Sequence, residues 1–204
     1  MNALDLIAAK YAADLSAPSP IGLRISRHRE LLELWRELGY LKLAEIGTEA
    51  GRFAEEICVA NPDAHLTCVD PYLAYDRYED HREQSRMDHF YAVAKARLDK
   101  YRVTLLRETS LTAVQRFKDG SLDAIFIDGN HHFDYVVQDI IAWAPKVRRG
   151  GMVAGHDYKP EGSEKTPIPF GVIDAVVGYT NQHKVKPYFL TKRDKCPSWF
   201  WIVK

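Results

Sequence analysis

The sequence lacks an excess of charge of either sign. Its 204 residues include 28 Lys plus Arg and 28 Asp plus Glu, which gives a formal net charge of +0. A chain without a net positive field does not collect nucleic acid or an anionic lipid surface by charge alone. We therefore expect a small-molecule partner, and we expect neither nucleic acid nor a membrane among the binding partners.

Cysteines and long apolar runs are also scarce. The three cysteines, Cys58, Cys68 and Cys196, have neither the spacing of a zinc ribbon nor the density of a secreted disulfide scaffold. No apolar run approaches the roughly 20 residues that cross a bilayer, and the first residues lack the basic and apolar segments of a signal peptide. These features predict reduced thiols and a cytoplasmic protein.

The chain has the length of one domain and contains no linker-like segment. Apolar residues recur at helical spacing over Asn2–Asp14 and Ser26–Leu38, with a short Pro/Ser breaker at Ser16–Pro20 between them. This pattern predicts two amphipathic helices, which would form a cap from residues 1–40 over a core from residues 41–204.

The apolar pattern changes period after residue 40. Short apolar runs predict buried strands at Leu41–Ile46, Leu66–Asp70, Val103–Leu106, Leu122–Ile127, Met152–Ala154, Lys186–Thr191 and Ser198–Val203. Helical patterns lie between them at Arg52–Ala60, Glu79–Lys100, Leu111–Lys118, Phe133–Val147 and Gly171–Gln182. Strands that alternate with helices predict an α/β fold with a parallel sheet, and the last two runs, joined by a polar loop, predict a hairpin.

A glycine loop follows the first core strand, in the segment Glu45–Gly51. Gly47 permits a tight turn, and Gly51 permits close backbone approach at the start of the next helix. The spacing E-x-G-x-x-x-G differs from the G-x-G-x-x-G of dinucleotide folds, and no Lys-Ser/Thr pair follows it. The loop therefore predicts a nucleotide-type ligand that lacks phosphates.

Polar residues end the next two strands as well. Asp70 lies about 20 residues after the glycine loop, where a carboxylate can accept hydrogen bonds from both ribose hydroxyls. Thr109 and Ser110 follow the third core strand, where they can cap the next helix.

These segments together resemble the class I S-adenosylmethionine-dependent methyltransferases, whose first motif is similar to Glu45–Gly51 and whose second acidic motif is similar to Asp70. The resemblance extends from about Leu41 to the C-terminus and is closest to the macrocin and catechol O-methyltransferase-like small-molecule group. It implies a Rossmann-like, doubly wound sheet of seven mostly parallel strands with an antiparallel C-terminal hairpin. Residues 1–204 would then form a single class I methyltransferase domain, with the catalytic core in residues 41–204.

The resemblance also implies S-adenosylmethionine as the cofactor. Relatives contact the adenine side of the cofactor where Thr109 and Ser110 lie, and Glu45 would balance its positive end. The implied cofactor-binding residues in this chain are Glu45, Ile46, Gly47, Thr48, Gly51, Asp70, Pro71, Thr109, Ser110 and Asp128.

The segments after the fourth and fifth core strands are similar to the parts of that family that activate the acceptor. The strand-ending aspartates of the family, here Asp128 and Asp157, help bind a divalent cation, usually Mg²⁺, which lowers the pKa of a substrate hydroxyl. Asn130 and Tyr158 depart from the family pattern, and His131 could serve instead as a general base. We predict Asp128 and His131 as catalytic residues and leave metal-dependent and metal-free mechanisms open.

The acceptor is predicted to be an oxygen, because no N-P-P-Y or D-P-P-Y segment follows the fourth core strand. We expect O-methylation of a hydroxyl on a small molecule or sugar. An inactive S-adenosylmethionine-binding protein stays open as an alternative, as does an NAD-dependent oxidoreductase, which the glycine spacing disfavours. The acceptor's identity would depend on a lid formed by the N-terminal helices and residues 72–86 and 159–169, and the same helices are compatible with a homodimer.

Overall fold

The computed structural model describes residues 2–74, 83–160 and 170–204. The strands are β1 Ile21–Leu23, β2 Lys42–Ile46, β3 His65–Val69, β4 Val103–Leu106, β5 Leu122–Ile127, β6 Val147–Gly155, β7 Tyr188–Thr191 and β8 Trp199–Ile202. The α-helices are α1 Ala3–Tyr11, α2 Leu32–Glu37, α3 Arg52–Ala60, α4 Gln84–Leu98, α5 Ser110–Ala113, α6 Phe133–Trp143 and α7 Val172–Gln182. None of the helices in these described ranges combines the length and the apolar character needed to cross a membrane.

The strands form one sheet in the order β1-β7-β8-β6-β5-β2-β3-β4. Neighbouring strands from β2 to β6 run parallel, whereas β8 runs antiparallel to both β6 and β7. The chain moves outward from β2 through β3 to β4, and it returns to the other side of β2 for β5, so the strand order reverses between β2 and β5. The predicted α/β class, the mostly parallel sheet and the antiparallel C-terminal hairpin are confirmed.

The sheet has one strand more than the seven that the resemblance implies. The additional strand, β1, pairs in parallel with β7 along Ile21–Leu23 and forms one edge of the sheet. The sequence pattern before residue 41 predicts only helices, because three residues carry too little apolar pattern to indicate a strand. The pairing partner β7 is far away in the sequence, so this strand depends on a tertiary contact rather than on local propensity.

The second predicted N-terminal helix, Ser26–Leu38, differs in geometry from the prediction. It begins with a π-helical turn over Arg27–Leu31 and continues as α2. Short π-helical segments occur frequently at functional sites, and this one carries a side chain that reaches the site described below. Of the predicted helix Glu79–Lys100, the part that is described forms α4, and residues 79–82 lie outside the described residues.

Apolar cores cover both faces of the sheet. One core includes residues of α1, α2 and α3, with Trp35 fully buried, and the other includes residues of α6 and α7, with Trp143 fully buried. Phe200 belongs to the first core and its neighbours Trp199 and Trp201 to the second, because successive side chains of a strand point to opposite faces. These aromatic residues therefore pack in the core.

The carboxyl ends of the five parallel strands β2 to β6 meet at one edge of the sheet. In open α/β sheets, ligands bind outside this edge and next to the point where the strand order reverses. A ligand-binding site is therefore expected in the loops after β2, β3, β4, β5 and β6.

Candidate active site

The loop after β2 lies directly against the loop after β5. Gly47 has a φ of +93°, and a Cβ atom added to it would lie 2.2 Å from the backbone oxygen of Asp128. Glycine is the residue that combines this backbone conformation with so close an approach. Gly51 also has a positive φ and immediately precedes α3, so the backbone roles predicted for both glycines agree with the structure.

A cavity of about 320 Å³ lies at the carboxyl ends of β2 and β3, and this volume is within the range of small-molecule sites. Six of the residues predicted to bind the cofactor line it, namely Ile46, Gly47, Asp70, Pro71, Thr109 and Ser110. The lining also includes residues that the sequence analysis did not single out, among them Glu49, Tyr72, Leu73, Met87, Phe90, Leu111, Gly129, Tyr135, Gln138 and Asp139.

The carboxylate of Asp70 is fixed at the cavity by two backbone groups. Its Oδ2 accepts a hydrogen bond of 2.9 Å from the N–H of Glu49, and its Oδ1 accepts one of 2.8 Å from the N–H of Tyr72. A carboxylate oxygen can accept more than one hydrogen bond, so these two backbone contacts do not by themselves prevent the carboxylate from contacting a ligand. The geometry therefore suits the predicted role of Asp70 toward a diol.

Glu45 and Thr48 are buried and are not among the described residues that line the cavity. Burial raises the pKa of Glu45 well above its ordinary value, although the nearby hydroxyl of Thr48 acts in the opposite direction. The shift favours the neutral carboxylic acid. The structure thus does not bring a charge of Glu45 to the cavity surface, where sequence analysis expected it to balance the positive end of the cofactor.

Ser110 links the cavity to the side chains of α6. Its hydroxyl donates a hydrogen bond to Asp139 and accepts one of 2.8 Å from the indole N–H of Trp143. The N-cap of α5 is Thr109, whose side chain accepts the backbone N–H of Thr112, so Ser110 is not the capping residue. Asp139 was missed by sequence analysis, because a single carboxylate in a helical pattern is usually solvated.

Asp139 is expected to make the folded protein less stable as the pH rises from about 4 to about 6. Burial raises its pKa from 3.8 to about 6, so the folded protein keeps a proton that the unfolded chain has already lost. Asp139 therefore stabilises the folded protein below the pKa of the unfolded chain, and this contribution is lost as the pH rises above the pKa in the folded protein. The change in the free energy of unfolding is on the order of 3 kcal/mol. Asp139→Asn cannot ionise and should not show this loss.

Urea unfolding of the wild type and of Asp139→Asn at pH 4 and pH 7.5 measures the effect. Between pH 4 and pH 7.5, the free energy of unfolding of Asp139→Asn should rise relative to that of the wild type. Other acidic groups titrate in both proteins and cancel in the comparison. A difference that is equal at the two pH values would contradict the burial argument.

Four ionisable side chains converge after β5 and β6, and we call them the Asp–His cluster: Asp128, His131, His156 and Asp157. The Nε2 atom of His131 lies 2.8 Å from Oδ2 of Asp157 and 3.6 Å from Oδ1 of Asp128. The Nδ1 atom of His156 lies 3.5 Å from Oδ1 of Asp128 and 3.5 Å from Oδ1 of Asp157. The structure thus brings the predicted catalytic residues and the predicted metal ligands together.

The charges in the Asp–His cluster stabilise one another. Burial opposes ionisation of Asp128 and Asp157, but hydrogen bonds with the two histidines hold the pKa of both carboxyl groups well below the ordinary value. Burial likewise opposes protonation of His131 and His156, but the carboxylates raise the pKa of both imidazoles to about 9. In this arrangement the imidazoles carry protons at neutral pH.

Arg27, on the π-helical turn, adds a further positive charge beside the cluster. Its Nη1 lies 3.1 Å from Oδ2 of Asp128, and its backbone N–H donates a hydrogen bond of 2.7 Å to Asp194 in the β7–β8 loop. Its guanidinium lies 4.9 Å from the centre of the Phe53 ring. Arg27 was not predictable from the sequence, because its contact is with a residue 101 positions later and no local pattern indicates it.

The ring of Phe170 packs against the ring of His131. The two rings stack with centroids 4.9 Å apart, and the N–H of Gly171 donates a hydrogen bond of 2.8 Å to the backbone oxygen of His131. The predicted lid segments, residues 72–86 and 159–169, include residues 75–82 and 161–169, which lie outside the described residues. The described residues at this part of the sheet edge thus include Arg27, the Asp–His cluster and Phe170.

Comparison with known proteins agrees with this architecture. Among curated proteins, the chain is 32% identical over 140 residues to the ribosomal RNA large subunit methyltransferase G of Pseudomonas putida (strain W619), a match that covers 67% of this chain and 33% of the relative. The protein of the same description from Pseudomonas entomophila (strain L48) is 30% identical over 140 residues, with the same coverage. The chain thus spans about a third of the length of these relatives.

Solved structures share the whole fold. An O-methyltransferase from Bacillus cereus in complex with SAH has a TM-score of 0.64 and 17% identity, and the match covers 99% of this chain and 89% of that chain. The O-methyltransferase TomG from Streptomyces achromogenes in complex with SAM has a TM-score of 0.59 and 14% identity, with 99% and 90% covered. At these identities the similarity is one of fold.

A family described as a methyltransferase domain matches residues 44–158. This segment is more than half of the chain and contains the glycine loop, Asp70 and the whole Asp–His cluster. The chain therefore belongs to the methyltransferase domain family and has the fold of the class I S-adenosylmethionine-dependent methyltransferases.

Proposed function

We propose that the protein transfers a methyl group from S-adenosylmethionine to a hydroxyl oxygen of a small molecule or sugar. The observation that carries this proposal is the position of the Asp–His cluster beside the cavity. Gly129 and Asn130 line the cavity, and the residue before them, Asp128, belongs to the cluster. A space for the methyl donor and a group that can activate a hydroxyl therefore adjoin at one edge of the sheet.

The cofactor would supply a methyl group carried by a sulfonium, and the chain would bind and orient it. Asp70, whose carboxylate is held at the cavity, would accept hydrogen bonds from the ribose hydroxyls, and the glycine loop around Gly47 would approach the ligand closely. Thr109 and Ser110 would form the adenine side. Methyl transfer is an in-line displacement, so alignment of donor and acceptor is the main contribution required from these residues.

In this proposal the Asp–His cluster activates the acceptor hydroxyl. The pKa of that hydroxyl must be lowered, or its proton removed, before its oxygen can attack the methyl group. His131 was predicted as a general base, but in the described arrangement it is already protonated by virtue of Asp128 and Asp157, so it would first have to lose that proton. The alternative to a general base is a divalent cation held by Asp128 and Asp157, because such an ion would lower the pKa of the acceptor hydroxyl.

A small acceptor is favoured over a nucleic acid, because the chain has no net positive charge to attract a phosphate backbone. The curated relatives are methyltransferases named for ribosomal RNA, and RNA is therefore the second class of acceptor to test. The N-terminal cap, residues 1–40, would shape the acceptor side, since Arg27 contacts the Asp–His cluster.

Calorimetric titration with S-adenosylmethionine and S-adenosylhomocysteine tests the cofactor assignment. We expect micromolar binding of both compounds and no binding of NADH, because the glycine loop has neither the G-x-G-x-x-G spacing of dinucleotide folds nor a following Lys-Ser/Thr pair. Absence of binding by protein that circular dichroism shows to be folded would overturn the proposal. Binding of NADH instead would favour the oxidoreductase.

Transfer of a labelled methyl group to panels of phenols, sugars and RNA tests the acceptor. Methylation of a hydroxyl compound supports the proposal. Transfer to RNA alone would change the acceptor class while the methyltransferase activity stands. Cofactor binding without transfer to any member of the panels would favour the inactive binding protein.

A further inference from the structure

We propose that a second cavity, at the edge of the sheet opposite the Asp–His cluster, binds a planar ring that carries an anionic group, as a nucleoside monophosphate does. The second cavity has a volume of about 310 Å³, which is within the range of small-molecule sites. Its described lining comes from the turn before β6, the end of α7 with the residues after it, and the end of β8. None of these described residues lines the first cavity, at β2 and β3. The inference therefore goes beyond the proposed function and does not depend on it.

Strand β6 separates the second cavity from the Asp–His cluster. Pro145 lines the second cavity and precedes β6, whereas His156 and Asp157 follow β6. Strand β8 runs antiparallel to β6, and the N–H of Gly150 donates a hydrogen bond of 2.8 Å to the backbone oxygen of Val203. The second cavity thus lies at the amino-terminal ends of the parallel strands, and the first cavity lies at their carboxyl ends.

Aromatic side chains of the second cavity stack on one another. The ring centroids of Trp201 and Tyr179 are 5.7 Å apart with 20° between the planes, and those of Tyr179 and His183 are 4.2 Å apart with 25°. Trp201 is buried, Tyr179 is partly buried and His183 is exposed, so the stack leads from the core to the surface. A planar ring placed on His183 would extend this stack, and proteins commonly bind nucleotide bases by stacking them on aromatic side chains.

Lysine side chains give the second cavity a positive charge, although the chain as a whole has a formal net charge of +0. Lys184 and Lys186 line it and are exposed, and none of its described lining residues is acidic. The lysines that form ion pairs among the described residues are others, namely Lys10, Lys100, Lys146 and Lys159. An anionic group would therefore be attracted to Lys184 and Lys186 without displacing a carboxylate.

Lys184 occupies a position that usually favours glycine. It follows the end of α7 and has a φ of +54°, and left-handed residues after a helix are most often glycine. A residue with a Cβ atom is strained in this conformation, so lysine makes the fold less stable here than glycine would. Strained residues cluster at ligand sites. The position therefore indicates a binding role for the Lys184 side chain.

A nucleotide matches both features of the second cavity. Its base is planar, and its phosphate group carries close to two negative charges at neutral pH, which suits a pair of lysines. The same unit occurs in free nucleotides and along an RNA strand, so the experiments below also distinguish these two sources.

Calorimetric titration of the full chain with inosine monophosphate tests the second cavity. Saturating S-adenosylhomocysteine is present to occupy the first cavity. Inosine supplies the ring without the anion, and ribose phosphate supplies the anion without the ring. We expect inosine monophosphate to bind about tenfold more tightly than either compound, because stacking and charge both contribute. If either compound bound as tightly as inosine monophosphate, the combined site would be overturned.

Variants at His183 test the stacking. His183→Ala removes the last ring of the stack and should weaken binding of inosine monophosphate about fivefold. His183→Phe keeps a planar ring and should bind as the wild type does. His65→Ala is the matched control, because His65 is exposed in β3 and does not line the second cavity. Equal affinities of the wild type and His183→Ala would contradict the stacking.

Lys184→Gly tests the charge without a loss of fold. It should weaken binding of inosine monophosphate about threefold, whereas its free energy of unfolding should equal or exceed that of the wild type, because glycine relieves the strain. Lys42→Gln removes the same charge from an exposed position in β2 and should bind as the wild type does. Unchanged affinity in Lys184→Gly would contradict the role of this lysine.

Asp70→Ala tests the location of the ligand. Asp70 lines the first cavity, so this variant should bind inosine monophosphate as the wild type does. Binding that Asp70→Ala weakens and His183→Ala leaves unchanged would place the ligand in the first cavity and overturn the inference. Protein that binds S-adenosylhomocysteine but not inosine monophosphate would overturn the inference and leave the proposed function intact. Binding of inosine monophosphate alone would support the second cavity and count against the proposed function.

A short inosine-containing RNA strand tests the source of the nucleotide. We expect it to bind no more tightly than inosine monophosphate, which would support a free nucleotide as the ligand. If the strand bound about tenfold more tightly and His183→Ala weakened its binding, the nucleotide site would stand, with RNA as the source.

Discussion

Replacement of Asp70 by alanine is expected to weaken binding of S-adenosylhomocysteine about 100-fold, which corresponds to about 2.8 kcal/mol. Hydrogen bonds to a charged acceptor contribute about 1.5–3 kcal/mol each, and the carboxylate is held at the cavity by the N–H groups of Glu49 and Tyr72. Two ribose hydroxyls that lose this acceptor account for the expected loss. Calorimetric titration of the variant measures it.

Two further variants separate ligand binding from loop structure. Asp70→Asn keeps one acceptor oxygen and should bind with an affinity between those of wild type and Asp70→Ala. Asp63→Ala removes an exposed aspartate before β3, at the opposite edge of the sheet, and should bind as the wild type does. If folded Asp70→Ala protein bound S-adenosylhomocysteine with wild-type affinity, Asp70 would not be a cofactor-binding residue.

Substitution of Gly47 by alanine is expected to abolish cofactor binding and to lower the free energy of unfolding by on the order of 3 kcal/mol. The new Cβ would lie 2.2 Å from the oxygen and 2.4 Å from the carbonyl carbon of Asp128. These are backbone atoms and cannot turn aside as a flexible side chain can. The loops after β2 and β5 would have to separate, and this would open the cavity. Denaturant unfolding and calorimetry measure the two effects.

Gly39→Ala provides the control for backbone strain alone. Gly39 also has a positive φ, +67°, but a Cβ atom added there would have nothing within 4 Å. We expect a loss of about 1 kcal/mol from the left-handed conformation and unchanged cofactor binding. If Gly47→Ala lowered the free energy of unfolding and cofactor binding no more than Gly39→Ala does, the cavity would not depend on the close contact between the loops after β2 and β5.

The sheet was largely predictable because buried strands and helices have different apolar periods. Val103–Leu106, Leu122–Ile127 and Arg52–Ala60 have the predicted bounds. The predicted strand Met152–Ala154 is longer in the structure, Val147–Gly155, because Val147 pairs with Leu122 and a register shift separates this pair from the pairing that resumes at Met152. Pairing extends a strand beyond its apolar residues, and that extension depends on the neighbouring strands.

The site was predictable where its residues end strands. Asp70 and Asp128 follow buried strands directly, and parallel strands carry such residues to a common edge. Arg27 and Asp139 were not predictable in this way. Arg27 reaches the cluster from the N-terminal segment, and Asp139 reaches the cavity from within α6. Both depend on how helices pack against the sheet, which local sequence patterns do not specify.

The pairing of β1 with β7 has a consequence for the order of assembly during synthesis. It joins residues 21–23 to residues 189–191, and Arg27 is tied to Asp194, 167 positions later. Contacts between such distant residues close large loops and are slow to form. The cavity, by contrast, has its described lining between Ile46 and Asp139. A growing chain, made from its N-terminus, would therefore have the residues that line the cavity well before it could anchor Arg27 to Asp194.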